Sequence, residues 1–241
     1  MTAKKRTILL AGFMAAALLM TAPGPARATG IRLSGDFTYA GDDSYDVFSS
    51  QDERRGLNAS FSYTLFYLGC AVLLDLEAGY THFPAEEDSL FSSYETSILT
   101  HGVYAGLRLH LRFERKWIEW LQPFVRIDGG WMWAKAEVAQ GGGGPKMADW
   151  GNNGFLYVGG GVQITIPVSF VKEKMHMCVS RRFSFGLSVE VGYFRPGPIG
   201  FSLGPDEDED PDVDPIPVEG VSLGSLDLAG LMVNFGLVVT F

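Results

Sequence analysis

The stretch that most constrains this chain is its last, residues 226–241, LDLAGLMVNFGLVVTF. Counted back in twos, Phe241, Val239, Leu237, Phe235, Val233 and Leu231 share one face, and Thr240, Val238, Gly236, Asn234, Met232 and Gly230 share the other. Successive side chains of a strand point to opposite faces, so a period of two sustained this far predicts one long β-strand. One side of it is apolar and the other small or polar. Such a strand suits a wall between an apolar medium and a polar one.

The same alternation recurs along the chain. It predicts strands over residues 31–39, 57–68, 71–83, 95–113, 121–138, 154–168 and 183–194, which makes eight with the last. In the second, Ala59, Phe61, Tyr63, Leu65 and Tyr67 oppose Ser60, Ser62 and Thr64. In the fourth, Val103, Leu107, Leu109 and Leu111 oppose Gly102, Gly106, Arg108, His110 and Arg112. Phe155 and Tyr157 fall on the polar parity of the sixth, and a bulge within residues 159–161 is the expected repair. Residues 169–182 read either as extended hairpin legs or as a short helix. The long connections are residues 41–56, 84–94, 139–153 and 195–220, rich in acids, glycine and proline, and they alternate with shorter ones.

The first residues add a compartment. Lys4, Lys5 and Arg6 precede an apolar run from Ile8 to Met20, and Ala26-Arg27-Ala28 offers small residues to a signal peptidase. The expectation is a cleaved secretory signal over residues 1–28 and a barrel-forming domain over 29–241. Losing Lys4, Lys5, Arg6 and Arg27 takes 19 basic residues to 15 against 28 acidic ones, a mature net charge of −13. That balance argues against nucleic acid as a partner. Beyond the signal no apolar run approaches the roughly 18 residues that a membrane-spanning helix needs. Thirty glycines and a 13% aromatic share fit a strand-rich wall with a crowded interior.

An even number of long two-faced strands, alternating loop lengths and a terminal Phe together resemble the small eight-stranded bacterial outer-membrane β-barrels, of the OmpA and OmpX/OmpW types. The resemblance covers the mature chain and implies an all-β, antiparallel up-and-down transmembrane barrel in the outer membrane of a Gram-negative bacterium, both termini periplasmic. It implies that Phe235, Leu237, Val239 and Phe241 form the signal read by the barrel-assembly machinery, after delivery by periplasmic chaperones. Outer-membrane lipid and lipopolysaccharide become its surroundings, and the acidic outer loops face a ligand the sequence does not name. Tyr39, Tyr80, Trp131, Trp133 and Tyr193 are expected at the outer interface, and Tyr67, Phe113, Trp117, Trp120, Phe183 and Phe241 at the inner one, as two aromatic girdles.

The inward parity then carries Arg32, Asp36, Asp75, Glu77, Arg108, His110, Arg112, Arg126, Asp128, Glu190 and Asn234. An eight-stranded barrel is only wide enough for its own side chains, so these charges are expected to pair into a polar plug. Asp75 and Glu77 face Arg108, His110 and Arg112 on the next strand. A gated ion path through that plug is the alternative reading. Catalysis is not expected, although His82 and His101 near the outer rim, with Ser89, Ser92, Ser93 and Ser97 nearby, leave open a lipid A-modifying rim enzyme. His176 is expected at the periplasmic surface. The acidic run from Asp206 to Asp214 lacks the glycine of a calcium-binding EF-hand loop and reads as a solvated outer loop, so neither metal nor cofactor is expected. Cys70 and Cys178 both fall in periplasmic connections, where an oxidising compartment permits a disulfide if the longer connection can reach. Parity alone also allows an inverted, secreted lipocalin-like carrier, with the apolar face inside.

Overall fold

The computed structural model describes residues 29–40, 53–68, 72–90, 94–111, 113, 120–140, 146–166, 184–205 and 221–241. Ten strands run in chain order: β1 (Thr29–Ala40), β2 (Glu53–Leu68), β3 (Val72–Leu90), β4 (Tyr94–Leu111), β5 (Leu121–Gln140), β6 (Lys146–Ile166), β7 (Ser184–Pro196), β8 (Ile199–Pro205), β9 (Val221–Leu226) and β10 (Gly230–Thr240). Eight of them, β1 to β7 and β10, pair antiparallel with their neighbours, and the β5–β6 and β1–β10 pairings close the sheet on itself. The molecule is an eight-stranded antiparallel up-and-down barrel.

Its stagger can be walked in residues. Thr29 pairs with Tyr63, then Leu76, Leu107, Ile127, Val158, Tyr193 and Leu231 follow round the wall, and Leu231 pairs with Tyr39. The circuit returns to β1 ten residues beyond its start. Closing eight strands with such a stagger tilts them by roughly 40° from the barrel axis and leaves an interior the size of side chains.

The wall faces the way the alternation requires. Leu33, Leu57, Ile127, Val158, Phe235 and Leu237 are all exposed on the outside, whereas Arg32, Glu77, Arg108, Arg126 and Glu190 are buried inside. Exposed Tyr39, Tyr80, Trp131 and Tyr193 lie toward one end, and Phe66, Phe113, Trp120 and Phe241 toward the other. An apolar belt between two aromatic rims is the outer surface of a transmembrane barrel. A carrier with an apolar cavity needs the opposite orientation, so the lipocalin-like reading does not hold.

Several local expectations are corrected. Strand β2 bulges between Thr64 and Phe66, which turns Phe66 outward and ends the expected outward run through Leu65. Phe155 and Tyr157 are buried in the lumen, and β6 pairs with β5 and β7 without a break through residues 159–161, so no bulge repairs their parity. Much of the expected loop over 84–94 is strand, because β3 runs to Leu90 and β4 starts at Tyr94, with a register shift between Phe83 and Glu86. The expected loop over 139–153 is likewise mostly hairpin, with β5 reaching Gln140 and β6 starting at Lys146. Strand β8 lies within the expected 195–220 loop, and β9 follows directly after it. Together they form a hairpin, and β8 joins the tip of β6 at Met147 and Ala148. The last alternating stretch is strand only from Gly230, because Leu226 ends β9 and residues 227–229 lie between, where Ala229 N–H donates to Asp227 Oδ1 at 2.9 Å. Arg112, Trp117, His176, Cys70, Cys178, Phe183 and the 206–214 acidic run lie outside the described residues.

Candidate functional site: the filled lumen and the outer rim

Three arginines and two glutamates meet at mid-height inside the wall. Arg32 reaches Glu77 and Glu190, each at 2.7 Å. Arg108 lies 2.8 Å from Glu77 and 3.7 Å from Glu190. Arg126 lies 3.3 Å from Glu190 and 3.8 Å from Glu77, while its Nε holds Asp128. Each glutamate thus answers three guanidinium groups, and the third carboxylate completes a neutral set. Neutrality is what burial demands, since an uncompensated charge away from water costs several kcal/mol.

The strand tilt decides who pairs with whom. The ladder sets Asp75 directly opposite Arg108, yet the contacts are diagonal, Glu77 with Arg108 and Asp75 with His110 Nε2 at 3.1 Å. Residues at equal height on tilted neighbours are offset in register, so the diagonal partner is the near one. His110 tilts against Phe124, ring centres 5.5 Å apart, and the same ring carries the Arg108 guanidinium at 4.6 Å. Asp36 accepts from Ser34 Oγ at 3.2 Å and Thr81 Oγ1 at 3.3 Å. Arg32, Asp36, Glu77, Arg108, His110, Arg126, Asp128, Glu190 and Asn234 are buried, and Asp75 is partly buried.

Above the charges the lumen turns aromatic and then apolar, which alternation alone did not indicate. Tyr104 donates to Asn58 Oδ1 at 2.8 Å, and the Arg126 guanidinium lies 5.0 Å from the Tyr104 ring and 5.2 Å from that of Tyr157. Glycines make the room. A Cβ on Gly79 would lie 2.4 Å from the Tyr104 ring, and one on Gly159 or Gly192 within 2.5 Å of the Tyr157 hydroxyl. Farther out, Phe155 and Phe194 pack at 5.1 Å together with Met132, Ile98, Ile199 and Leu228. The β8–β9 hairpin contributes Ile199, Phe201 and Leu226 to this core. Arg54, expected in a loop, is a buried β2 residue whose guanidinium lies 4.5 Å over Phe83 and hydrogen-bonds Thr100. The pocket between the two layers, bounded by Asn58, Tyr104, Arg126, Tyr157 and Met232, measures about 20 Å³, room for one water.

The rim histidines are placed differently from a hydrolase relay. His82 and His101 oppose each other across the β3–β4 ladder on the outer face. His101 Nδ1 lies 2.6 Å from Tyr80 Oη and 3.2 Å from His82 Nδ1. A relay needs a nucleophile on one ring nitrogen and an acid on the other; here a phenol and a second imidazole crowd the same nitrogen. The side chain of Ser89, and all of Ser92 and Ser93, lie outside the described residues.

The fold is that of a small eight-stranded outer-membrane barrel. No family model matches the chain, and no curated protein matches its sequence. Among solved structures, the chain is similar to Neisserial surface protein A, with 11% identity over 89% of this chain and 97% of that one, TM-score 0.43. It is similar to Ail, the attachment invasion locus protein of Yersinia pestis, with 13% identity over 90% of this chain and 100% of that one, TM-score 0.43. It is also similar to the outer membrane protease OmpT of Escherichia coli, with 10% identity over 89% and 94%, TM-score 0.39. A fold does not fix a function, which has to be argued from the residues.

Proposed function

We propose that this protein is an integral outer-membrane barrel whose work is structural and interactive and is done by its outer surface and acidic loops. The observation that carries this reading is the filled lumen. A closed Arg–Glu network sits at mid-height, an apolar core lies above it, and a one-water pocket separates them. A channel needs a continuous polar path, and among the described residues the apolar core above the charges argues against one.

In this reading residues 1–28 are a cleaved signal and both termini face the periplasm. The loops between β1 and β2, β3 and β4, β5 and β6, and β7 and β10 then face outward. The outer girdle meets lipopolysaccharide, and the barrel-assembly machinery recognises outward-facing Phe235, Leu237, Val239 and Phe241 after periplasmic chaperones deliver the chain. The acidic loops present carboxylates to an external ligand, and loops on a rigid scaffold are where such specificity resides. The stacked rim imidazoles favour a surface role over lipid A hydrolysis.

Conductance tests this reading. Purified full-length protein inserted in planar lipid bilayers is expected to give no stable open level across a voltage ramp in molar salt. A reproducible unitary conductance from the unmodified barrel would establish a pore instead.

A further inference from the structure

The Tyr80, His82 and His101 group on the outer rim has a geometry that neither the plug nor the girdle requires. His82 and His101 are directly opposed across two antiparallel strands, so both project from the same face. Their Nδ1 atoms are 3.2 Å apart, and Tyr80 Oη lies 2.6 Å from the His101 nitrogen. A ring nitrogen carries either one hydrogen or one lone pair, so His101 Nδ1 serves one of these neighbours well and crowds the other. Two heteroatoms within 3.2 Å of the His101 nitrogen contend for one position on it, a crowding that a shared cation would relieve.

We infer that Tyr80, His82 and His101 form a surface site for a divalent first-row transition metal, at the outer edge of the membrane-spanning wall. Two nitrogens 3.2 Å apart, each about 2.0–2.1 Å from a shared zinc ion, subtend about 100° at the metal, close to the tetrahedral angle. Imidazole donors suit zinc, copper and nickel, and the phenol supplies the third ligand once its proton leaves to solvent. The imidazole planes now lie within 20° of each other, centres 4.8 Å apart, and rotation about the soft χ2 torsions aims both lone pairs at one ion. Trp150 stacks on His101 at 6.4 Å and 19°, covering that ring. Among the described residues no three His, Cys, Asp or Glu side chains converge in this way, and here a tyrosine completes the set. The fourth position is open to water.

The test uses the full chain, folded in detergent, with zinc chloride as the only added metal, and reads bound zinc by equilibrium dialysis and elemental analysis. One zinc per barrel is expected at micromolar free metal. His82→Ala and His101→Ala should each weaken binding by at least about tenfold, the lower end of what even an outer-shell partner contributes. Tyr80→Phe should weaken it measurably, and His176→Ala should leave it unchanged. Tyr80, His82 and His101 face outward, so their variants should keep the heat-modifiable mobility of a folded barrel, which separates a lost site from a lost fold. A wild-type barrel that binds no zinc below millimolar concentration would overturn the proposal. So would binding that survives in the His82→Ala/His101→Ala double variant, is untouched by Tyr80→Phe, or disappears in His176→Ala.

Discussion

Replacing Glu77 with glutamine should destabilise the barrel by about 3–5 kcal/mol, the cost of leaving one buried partner of an ion cluster uncompensated. Glu77 is fully buried and answers Arg32, Arg108 and Arg126 at 2.7, 2.8 and 3.8 Å. Glutamine keeps the shape and some hydrogen bonding, but three guanidinium groups then have only Glu190 and Asp128 within salt-bridge distance. The excess cation lies at mid-height, far from either mouth. Unfolding in urea, followed by the gel mobility of the folded form in lipid or detergent, measures the loss as a lower midpoint. The diagnostic control is the double variant Glu77→Gln/Arg108→Gln, which restores charge balance and should recover a large part of that loss. Groups in one network are coupled, so the two single changes should not add. A Glu77→Gln barrel as stable as wild type would show that the plug is solvated and that its charges are not held in low dielectric.

Gly161→Ala should be among the most damaging changes of a single methyl group in the wall. A Cβ there would sit 2.1 Å from the Val189 carbonyl oxygen, 2.8 Å from Glu190 Cα and 3.0 Å from the Phe124 ring. The first two are backbone atoms of the paired strand, which cannot swing aside as a side-chain tip can. The β6–β7 ladder would have to spread beside Glu190, loosening the same ionic cluster. Overpacking of this kind costs about 1–3 kcal/mol or more. Gly160→Ala is the contrast, since its nearest neighbours lie at 3.2 and 3.6 Å and it sits on the other face. Refolding yields by gel mobility should fall sharply for Gly161→Ala and little for Gly160→Ala. Equal yields would mean that β6 and β7 pack less closely than described.

The barrel was legible in the sequence because a membrane wall must be two-faced along every strand, and a period of two is visible in residues 31–39 or 226–241 without any partner. The members of the plug were legible for the same reason. Their pairing was not, because Glu77 finds Arg108 only through a register and tilt that no single strand encodes. Phe155 and Tyr157 looked misplaced because a uniformly polar lumen was assumed. The signal that explains them, glycine at 159 and 192 beside the Tyr157 ring, is split between two strands that meet only in the fold. Arg54 was hidden by the end of a loop, although Arg54, Gly56, Asn58 and Ser60 continue the inward parity. Strand β8 was missed because it follows Pro196-Gly197-Pro198, residues that ordinarily mark a turn. The rim group of Tyr80, His82 and His101 needed the β3–β4 register before two scattered histidines became one cluster.

The central claim, a closed barrel that faces lipid with its apolar side, has a direct test. The full precursor is expressed in a Gram-negative host, the membranes are separated, and the outer-membrane fraction is run on denaturing gels with and without boiling. The structure predicts a protein found in that fraction, whose unboiled form migrates as a compact band and shifts to its unfolded mobility on heating. A soluble periplasmic protein with one mobility in both lanes would contradict the outward apolar face, and with it the filled lumen on which the functional reading rests.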